Sequence, residues 1–438
     1  MFPLANVLPI SATLSSKGVL QIDGCDVRAL ADEFGTPLYV YDAQTVRALA
    51  TAWTRAFAAV YPDSEMLYAS KAYLSRPFAR LIMSEGFGFD AVSGGELEVL
   101  AASGADMRRV YLHGNNKTVE EIRLAVELSV GRIVVDGFDE IALLEELAKQ
   151  AETELAVLLR VSPGIDAHTH AKTTTGILDT KFGLPIETGA AERAVGQLLS
   201  SPHLDFRGLH MHLGSPIFDL EPYRLGIEVV AAFIADVCIA KLGAKVPEFS
   251  PGGGFAVAYS QSQDPPAPEA YAQIIASALI KEADSRGFPR PHISLEPGRS
   301  IAARAAIALY TVGNRKEVPG IRTFVSVDGG MADNVRPAMY GSKYEVIAAE
   351  RVFDPTEETV TISGKYCESG DVLARDAKTP HLKAGELLAM PSAGAYQLSM
   401  ASNYNFAYRP AVVLIEDGRP RLIQRRQTAS DLMRLDVE

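Results

Sequence analysis

A chain of 438 residues is longer than one typical domain and calls for at least two. Its 47% hydrophobic and 22% charged residues fit a soluble globular protein, and a net charge of −12 leaves no basic footprint for nucleic acid. Three scattered cysteines (Cys25, Cys238 and Cys367) exclude a disulfide framework or a cysteine-based zinc site. With no basic residue ahead of Lys17 and no apolar run long enough to span a membrane, a cytoplasmic protein is expected.

From the N-terminus, Gly18 to Ile22 and Pro37 to Asp42 read as strands around a short helix, Val27 to Phe34. Eight short apolar runs follow, each ending in a polar residue suited to chemistry. Leu67 to Ser70 runs into Lys71, Phe87 to Asp90 into Ser93, Arg109 to Leu112 into His113, Ile133 to Val135 into Asp136, and Leu155 to Leu159 into Arg160. Arg207 to His210 continues to His212, Glu248 to Ser250 to Gly252 through Gly254, and His292 to Leu295 to Glu296. Apolar residues at helical spacing lie between them, over 95–103, 118–129, 138–149, 222–241 and 268–286. Eight β/α units with polar strand ends describe a (β/α)8 TIM barrel over residues 43–300, with its active site at the C-terminal mouth.

Beyond residue 300 the pattern turns to β-branched and alternating runs: Thr323 to Val327, Thr359 to Ser363, Leu387 to Met390 and Ala411 to Ile415. Glu416-Asp-Gly-Arg419 reads as a hairpin turn. Residues 301–438 are therefore expected to form a β-sandwich or β-barrel-like domain, completed by the strands of residues 1–42.

Position alone leaves Lys71 open as a Schiff-base lysine, a phosphate anchor or a solvated rim cation. Two glycine-rich turns narrow the choice. Ser250-Pro-Gly-Gly-Gly254 and Glu296-Pro-Gly-Arg299 follow the last two barrel strands, where this fold builds phosphate sites from backbone N–H groups, and Ser215 adds a hydroxyl. A lysine and a phosphate cradle in one barrel mouth point to pyridoxal 5′-phosphate. That cofactor wants an acid at its ring nitrogen, for which Glu296 is placed, and His212 on the same rim could stack on the ring.

The residues carrying this chemistry resemble the alanine-racemase-like, fold type III pyridoxal-phosphate enzymes, and among them the diaminopimelate decarboxylases. The resemblance runs through Tyr68-Ala-Ser-Lys71, Gly88-Phe-Asp-Ala-Val-Ser-Gly-Gly-Glu-Leu97, His113-Gly-Asn-Asn-Lys117, His168-Thr-His170 and His210-Met-His-Leu-Gly-Ser215. It continues in Asp328-Gly-Gly-Met331, Arg336-Pro-Ala-Met-Tyr340, Cys367-Glu-Ser-Gly-Asp371, Gly394-Ala-Tyr396 and Ser402-Asn-Tyr-Asn405. It implies Lys71 as the Schiff-base lysine, Glu296 as the ring-nitrogen partner and His212 on the ring. Ser215, Gly253, Gly254, Gly298 and Tyr396 would hold the phosphate, with Asp90, Arg160 and Arg299 completing the cofactor's surroundings. Arg299, Arg336, Tyr340 and Tyr396 would meet the distal carboxylate of the substrate, and Glu368 its distal ammonium. Cys367 would return a proton to Cα from the other subunit of a homodimer.

The implied reaction is decarboxylation of meso-2,6-diaminopimelate to L-lysine, the last step of lysine biosynthesis. Two arginines and a glutamate suit a zwitterionic distal end. Rival readings are a decarboxylase of lysine, ornithine or arginine, which offers those arginines no distal carboxylate, and a catalytically inactive regulatory homologue. Ala91 replaces the third glycine of a dinucleotide loop in Gly86-Phe-Gly-Phe-Asp90, and the His168/His170 and His210/His212 pairs lack further metal ligands, so no metal is expected. Cys25 and Cys238 read as packing residues, and Lys117 and Lys181 as solvated.

Overall fold

The computed structural model describes residues 4–167, 175–176 and 179–437. They form two compact units, one of residues 50–256 and 265–298 and the other of residues 1–49, 257–264 and 299–438.

One strand of the second unit, β1 (Leu38–Asp42), precedes the first unit in the chain. The first unit is built on β2 (Ser64–Ala69), β3 (Gly88–Ala91), β4 (Val110–Leu112), β5 (Arg132–Val135), β6 (Leu155–Ser162), β7 (Leu204–His210), β8 (Glu248–Gly252) and β9 (His292–Leu295). Each pairs in parallel with the next, and β9 returns to β2, so the sheet closes as the expected eight-stranded barrel. The runs are short and almost wholly buried because helices cover one side and the barrel interior the other. Lys71, expected at a strand end, sits two residues beyond β2 in a single 3-10 turn, Ser70–Ala72.

Local chemistry sets the helix boundaries. Ser75 caps the helix Arg76–Ser84 and Ser93 caps Gly94–Ser103. Thr118 and Glu121 close a reciprocal capping box on Val119–Glu127. The helix expected over 222–241 is α-helical only from Glu221 to Ala232 and continues as a π-helix, Phe233–Ile239. Its buried residues, Phe233, Ile234 and Cys238, recur at a spacing of four to five, which the wider turn puts on one side.

The second unit holds a nine-stranded mixed sheet, as the β-rich pattern led one to expect, and a separate three-stranded antiparallel sheet of Ala12–Leu14, Leu20–Ile22 and Cys25–Asp26. The larger sheet contains β10 (Ala306–Val318), β11 (Arg322–Val327), β12 (Glu358–Ser363), β13 (Val372–Thr379), β14 (Leu387–Met390), β15 (Ala411–Glu416) and β16 (Arg419–Gln424). The N-terminal strand β1 lies inside this sheet, antiparallel to β10 and parallel to β15. The turn joining β15 to β16 has positive φ at Asp417 and Gly418, the hairpin conformation its sequence calls for. Leu38, Val40, Ile307, Leu309, Val413 and Ile415 pack into one apolar core. Strand alternation then puts Tyr39 and Tyr310 on the opposite face of β1 and β10. No helix among the described residues is long and apolar enough to cross a membrane.

Candidate active site

At the mouth of the barrel Lys71 Nζ donates to Asp90 Oδ2 at 2.8 Å, with the lysine side chain partly exposed and the aspartate wholly buried. The contact holds the amine aimed at the carboxylate. Glu296, one residue past β9, is buried. Ser250 Oγ donates to its Oε1 at 3.1 Å, and His210 Nε2 lies 2.9 Å from the same atom. His113 Nε2 lies 3.6 Å from Glu296 Oε1 and 3.8 Å from Asp90 Oδ1.

Burial opposes ionisation of Glu296, but the adjacent His210 imidazole outweighs it and holds the carboxyl below its usual range. His113 itself is pushed well below the usual imidazole value, chiefly by burial and further by Lys71 and Arg160, despite the opposing pull of Glu296. It is therefore neutral at pH 7, and we regard Glu296 as ionised on the strength of the His210 and Ser250 contacts. His212 is likewise neutral, through burial and then Lys71 and Arg160. It uses Nδ1 to accept the Gly253 N–H at 3.3 Å.

The glycine-rich turn after β8 requires bare backbone. Gly254 has φ +99°, and a Cβ there would collide with the Gly214 carbonyl, in the loop that also carries Ser215. The Ile217 N–H donates to Gly254 O at 2.8 Å and ties the two loops together. A side chain on Gly298 would run into Ala69, next to the Lys71 turn. Asp90 Oδ1, His113 Nε2 and Ser70 Oγ are buried without a hydrogen-bond partner. Glycine turns, a reachable amine and unsatisfied polar atoms around an ionised carboxylate fit a phosphorylated, cationic aromatic ring such as that of pyridoxal phosphate.

Arg160 is also buried, with its guanidinium 4.5 Å from the Phe182 ring and 3.7 Å from Asp136 Oδ2. Lys117, expected in solvent, is instead buried. Its ammonium donates to the carbonyls of Gly114 and Val134 and pairs with Glu140, because an ammonium in a barrel wall must spend all three hydrogens. Lys181 is exposed, and His168 and His170 lie outside the described residues. His113 and His210 were not assembled with Glu296 by sequence reading. Their three ligand-type atoms lie within 4.8 Å of one another, a spacing that would also suit a divalent ion. The signal available was that His113, His210 and Glu296 each close a barrel strand.

In the sheet unit Arg299 and Arg336 are buried and share an aromatic shell. Arg299 Nη1 donates to Tyr259 OH at 2.7 Å, and Arg336 Nε to Tyr344 OH at 3.0 Å. The Tyr396 ring lies 4.6 Å from the Arg299 guanidinium and 5.5 Å from that of Arg336, which also faces Tyr340 at 5.2 Å. Tyr259 and Tyr344 stand edge to face at 5.1 Å; neither was singled out in the sequence.

Cys367 and Glu368 lie on an exposed loop. Its base is pinned by Asp371, whose carboxylate accepts the N–H groups of Met331 and Tyr366, while Asn405 Oδ1 accepts the N–H of Cys367. The thiol is therefore not an inert core group. Cys238 is, with burial pushing its thiol up to about 12.

Residues 43–303 match the family described as pyridoxal-dependent decarboxylase, pyridoxal binding domain. The chain is 44% identical to the diaminopimelate decarboxylase of Bacillus subtilis over 96% of its own length and 95% of that protein. It is 40% identical to the enzyme of the same name from Mycobacterium tuberculosis H37Rv, covering 99% and 98%. Among solved structures, the diaminopimelate decarboxylase of M. jannaschii in co-complex with L-lysine superposes with a TM-score of 0.91 at 32% identity, over 98% of both chains.

Proposed function

The chain belongs to the pyridoxal-dependent decarboxylases, among relatives named diaminopimelate decarboxylase, and we propose that it removes one carboxylate of meso-2,6-diaminopimelate as CO2 to leave L-lysine. The observation that carries this reading is the Lys71–Asp90 pair in one barrel mouth with the buried carboxylate of Glu296. Bound pyridoxal 5′-phosphate would supply an electron sink for the pair left on Cα as CO2 departs.

Lys71 would offer the amine that holds the cofactor, with Asp90 beside it to orient that nitrogen. Glu296 would stand at the ring nitrogen as its acidic partner. His212 is neutral and anchored by the Gly253 N–H, so it can meet the ring without repelling its charge. Ser215, Gly253, Gly254 and Gly298, with Tyr396, hold the phosphate, and Arg160 adds positive charge. Arg299 and Arg336, with Tyr340 and Tyr396, bind the distal carboxylate, for which a buried fork of N–H donors is geometrically selective. Glu368 takes the distal ammonium. Cys367 returns the proton to Cα, and its exposure in one protomer suits delivery to the site of the other in a homodimer. Three free cysteines fit a cytoplasmic enzyme.

The test is CO2 release with chiral analysis of the product, offering meso-diaminopimelate, L-lysine, D-lysine, L-ornithine and L-arginine separately. L-lysine formed from meso-diaminopimelate alone is expected, and Lys71→Ala should lose both turnover and the visible absorbance of bound cofactor. Turnover of a basic amino acid would overturn the roles given to Arg299, Arg336 and Glu368.

A further inference from the structure

The proposed reaction does not use a buried polar network in the sheet unit. Tyr310 OH donates to Asp333 Oδ2 at 2.6 Å. Tyr39 has one hydroxyl hydrogen and several partners within reach, Gln397 Oε1 at 2.8 Å, Asp333 O at 3.2 Å, Asp333 Oδ2 at 3.3 Å and Tyr310 OH at 3.4 Å. The shortest contact takes the hydrogen, because Tyr310 already serves the carboxylate.

Gln397 is fully buried, and its Oε1 accepts the hydroxyl hydrogen of Tyr39. The residue before it, Tyr396, has φ +58°, a left-handed conformation that a bulky side chain adopts only when its surroundings enforce it. That backbone carries the ring lying against both guanidinium groups. Gln397 thus bears on the arginine shell through the backbone it shares with Tyr396.

We propose that Gln397 is a positioning residue for substrate specificity: held by Tyr39, it fixes the backbone of Tyr396, whose ring orients Arg299 and Arg336, and so sets the affinity for the carboxylate at the non-reacting end. The proposal rests on the reading that these arginines bind that carboxylate. A fork of planar donors rewards orientation strongly, so a shell that can rotate loses affinity even with every charge in place.

The experiment compares Gln397→Leu, Tyr39→Phe and Arg336→Met with the unaltered holoenzyme. It measures kcat and KM for meso-diaminopimelate, and inhibition by L-lysine and by 1,5-diaminopentane. L-lysine keeps the distal carboxylate; the diamine lacks it. For Gln397→Leu, KM should rise roughly tenfold and L-lysine inhibition weaken in parallel. Its kcat, cofactor absorbance and diamine inhibition should stay near the original values, and Tyr39→Phe should move KM the same way by less. An unchanged KM in Gln397→Leu, or equal weakening of L-lysine and the diamine, overturns the inference. If Gln397→Leu does not fold, the same readouts on Tyr39→Phe decide it. Unchanged L-lysine inhibition in Arg336→Met would instead sink the reading of the arginines themselves.

Discussion

Asp333 is a residue whose charge state the fold strains. Burial raises its carboxyl from 3.8 to about 6, against the hydrogen bonds of Tyr310 and the Gly330 N–H. An acid with a raised folded-state pKa costs stability once it must ionise. Below about pH 4 it is protonated in both states and costs nothing; between there and pH 6 the unfolded chain ionises first, so stability falls as pH rises. The full cost above pH 6 is about 3 kcal/mol, two units at roughly 1.4 kcal/mol each. Asp333→Asn removes this titration. Urea unfolding at pH 4 and pH 7 should therefore find the wild type losing ground to the variant by about that amount. A difference between the two proteins that does not change with pH would mean that Asp333 titrates normally.

Secondary-structure elements account for most of what the sequence made legible. The eight barrel strands could be read because each is a short apolar run closed by a polar residue, and that order maps strand ends onto one mouth. The helix Pro268–Arg286 was readable to the residue, since proline opens it and Gly287, at φ +74°, ends it. The π-helical turn at Phe233–Ile239 was not, because its apolar residues also satisfy an ordinary helical spacing over so short a stretch. Lys71, Asp90 and Glu296 follow from their strand ends. His113 and His210 gain meaning only from distances to Glu296 across strands, and Tyr259, Tyr344 and Gln397 sit in segments with no period to read.

Two substitutions separate local structure from site geometry at this scale. Thr118→Ala removes the capping box of Val119–Glu127 and should cost about 1 kcal/mol of stability with kcat unchanged. Gly254→Ala forces a side chain at φ +99° against the Gly214 carbonyl and should cost about 1–3 kcal/mol. The second change also moves the loop assigned to the phosphate, so its pyridoxal-phosphate dissociation constant should rise while that of Thr118→Ala does not. Equal cofactor affinity in the two variants would remove this loop from the cofactor site.

At the scale of the whole molecule, the proposed chemistry calls on a second copy of the chain. Lys71 and Glu296 lie in the barrel unit and the arginines in the sheet unit, while Cys367 and Glu368 stand on a loop exposed in the single protomer. An exposed thiol and carboxylate serve a reaction kept from water only if something covers them, and a second copy is the economical cover in a symmetric dimer. Lys71→Ala and Cys367→Ala homodimers should each be nearly inactive, for different reasons. Unfolding the two together and refolding them at equal concentration gives about half heterodimers, each with one intact site of two, so roughly a quarter of wild-type activity should return. Activity that stays at the level of the separate variants after verified subunit exchange would place Lys71 and Cys367 of the same protomer in one site. The visible cofactor band gives an independent count, because only subunits that retain Lys71 contribute to it.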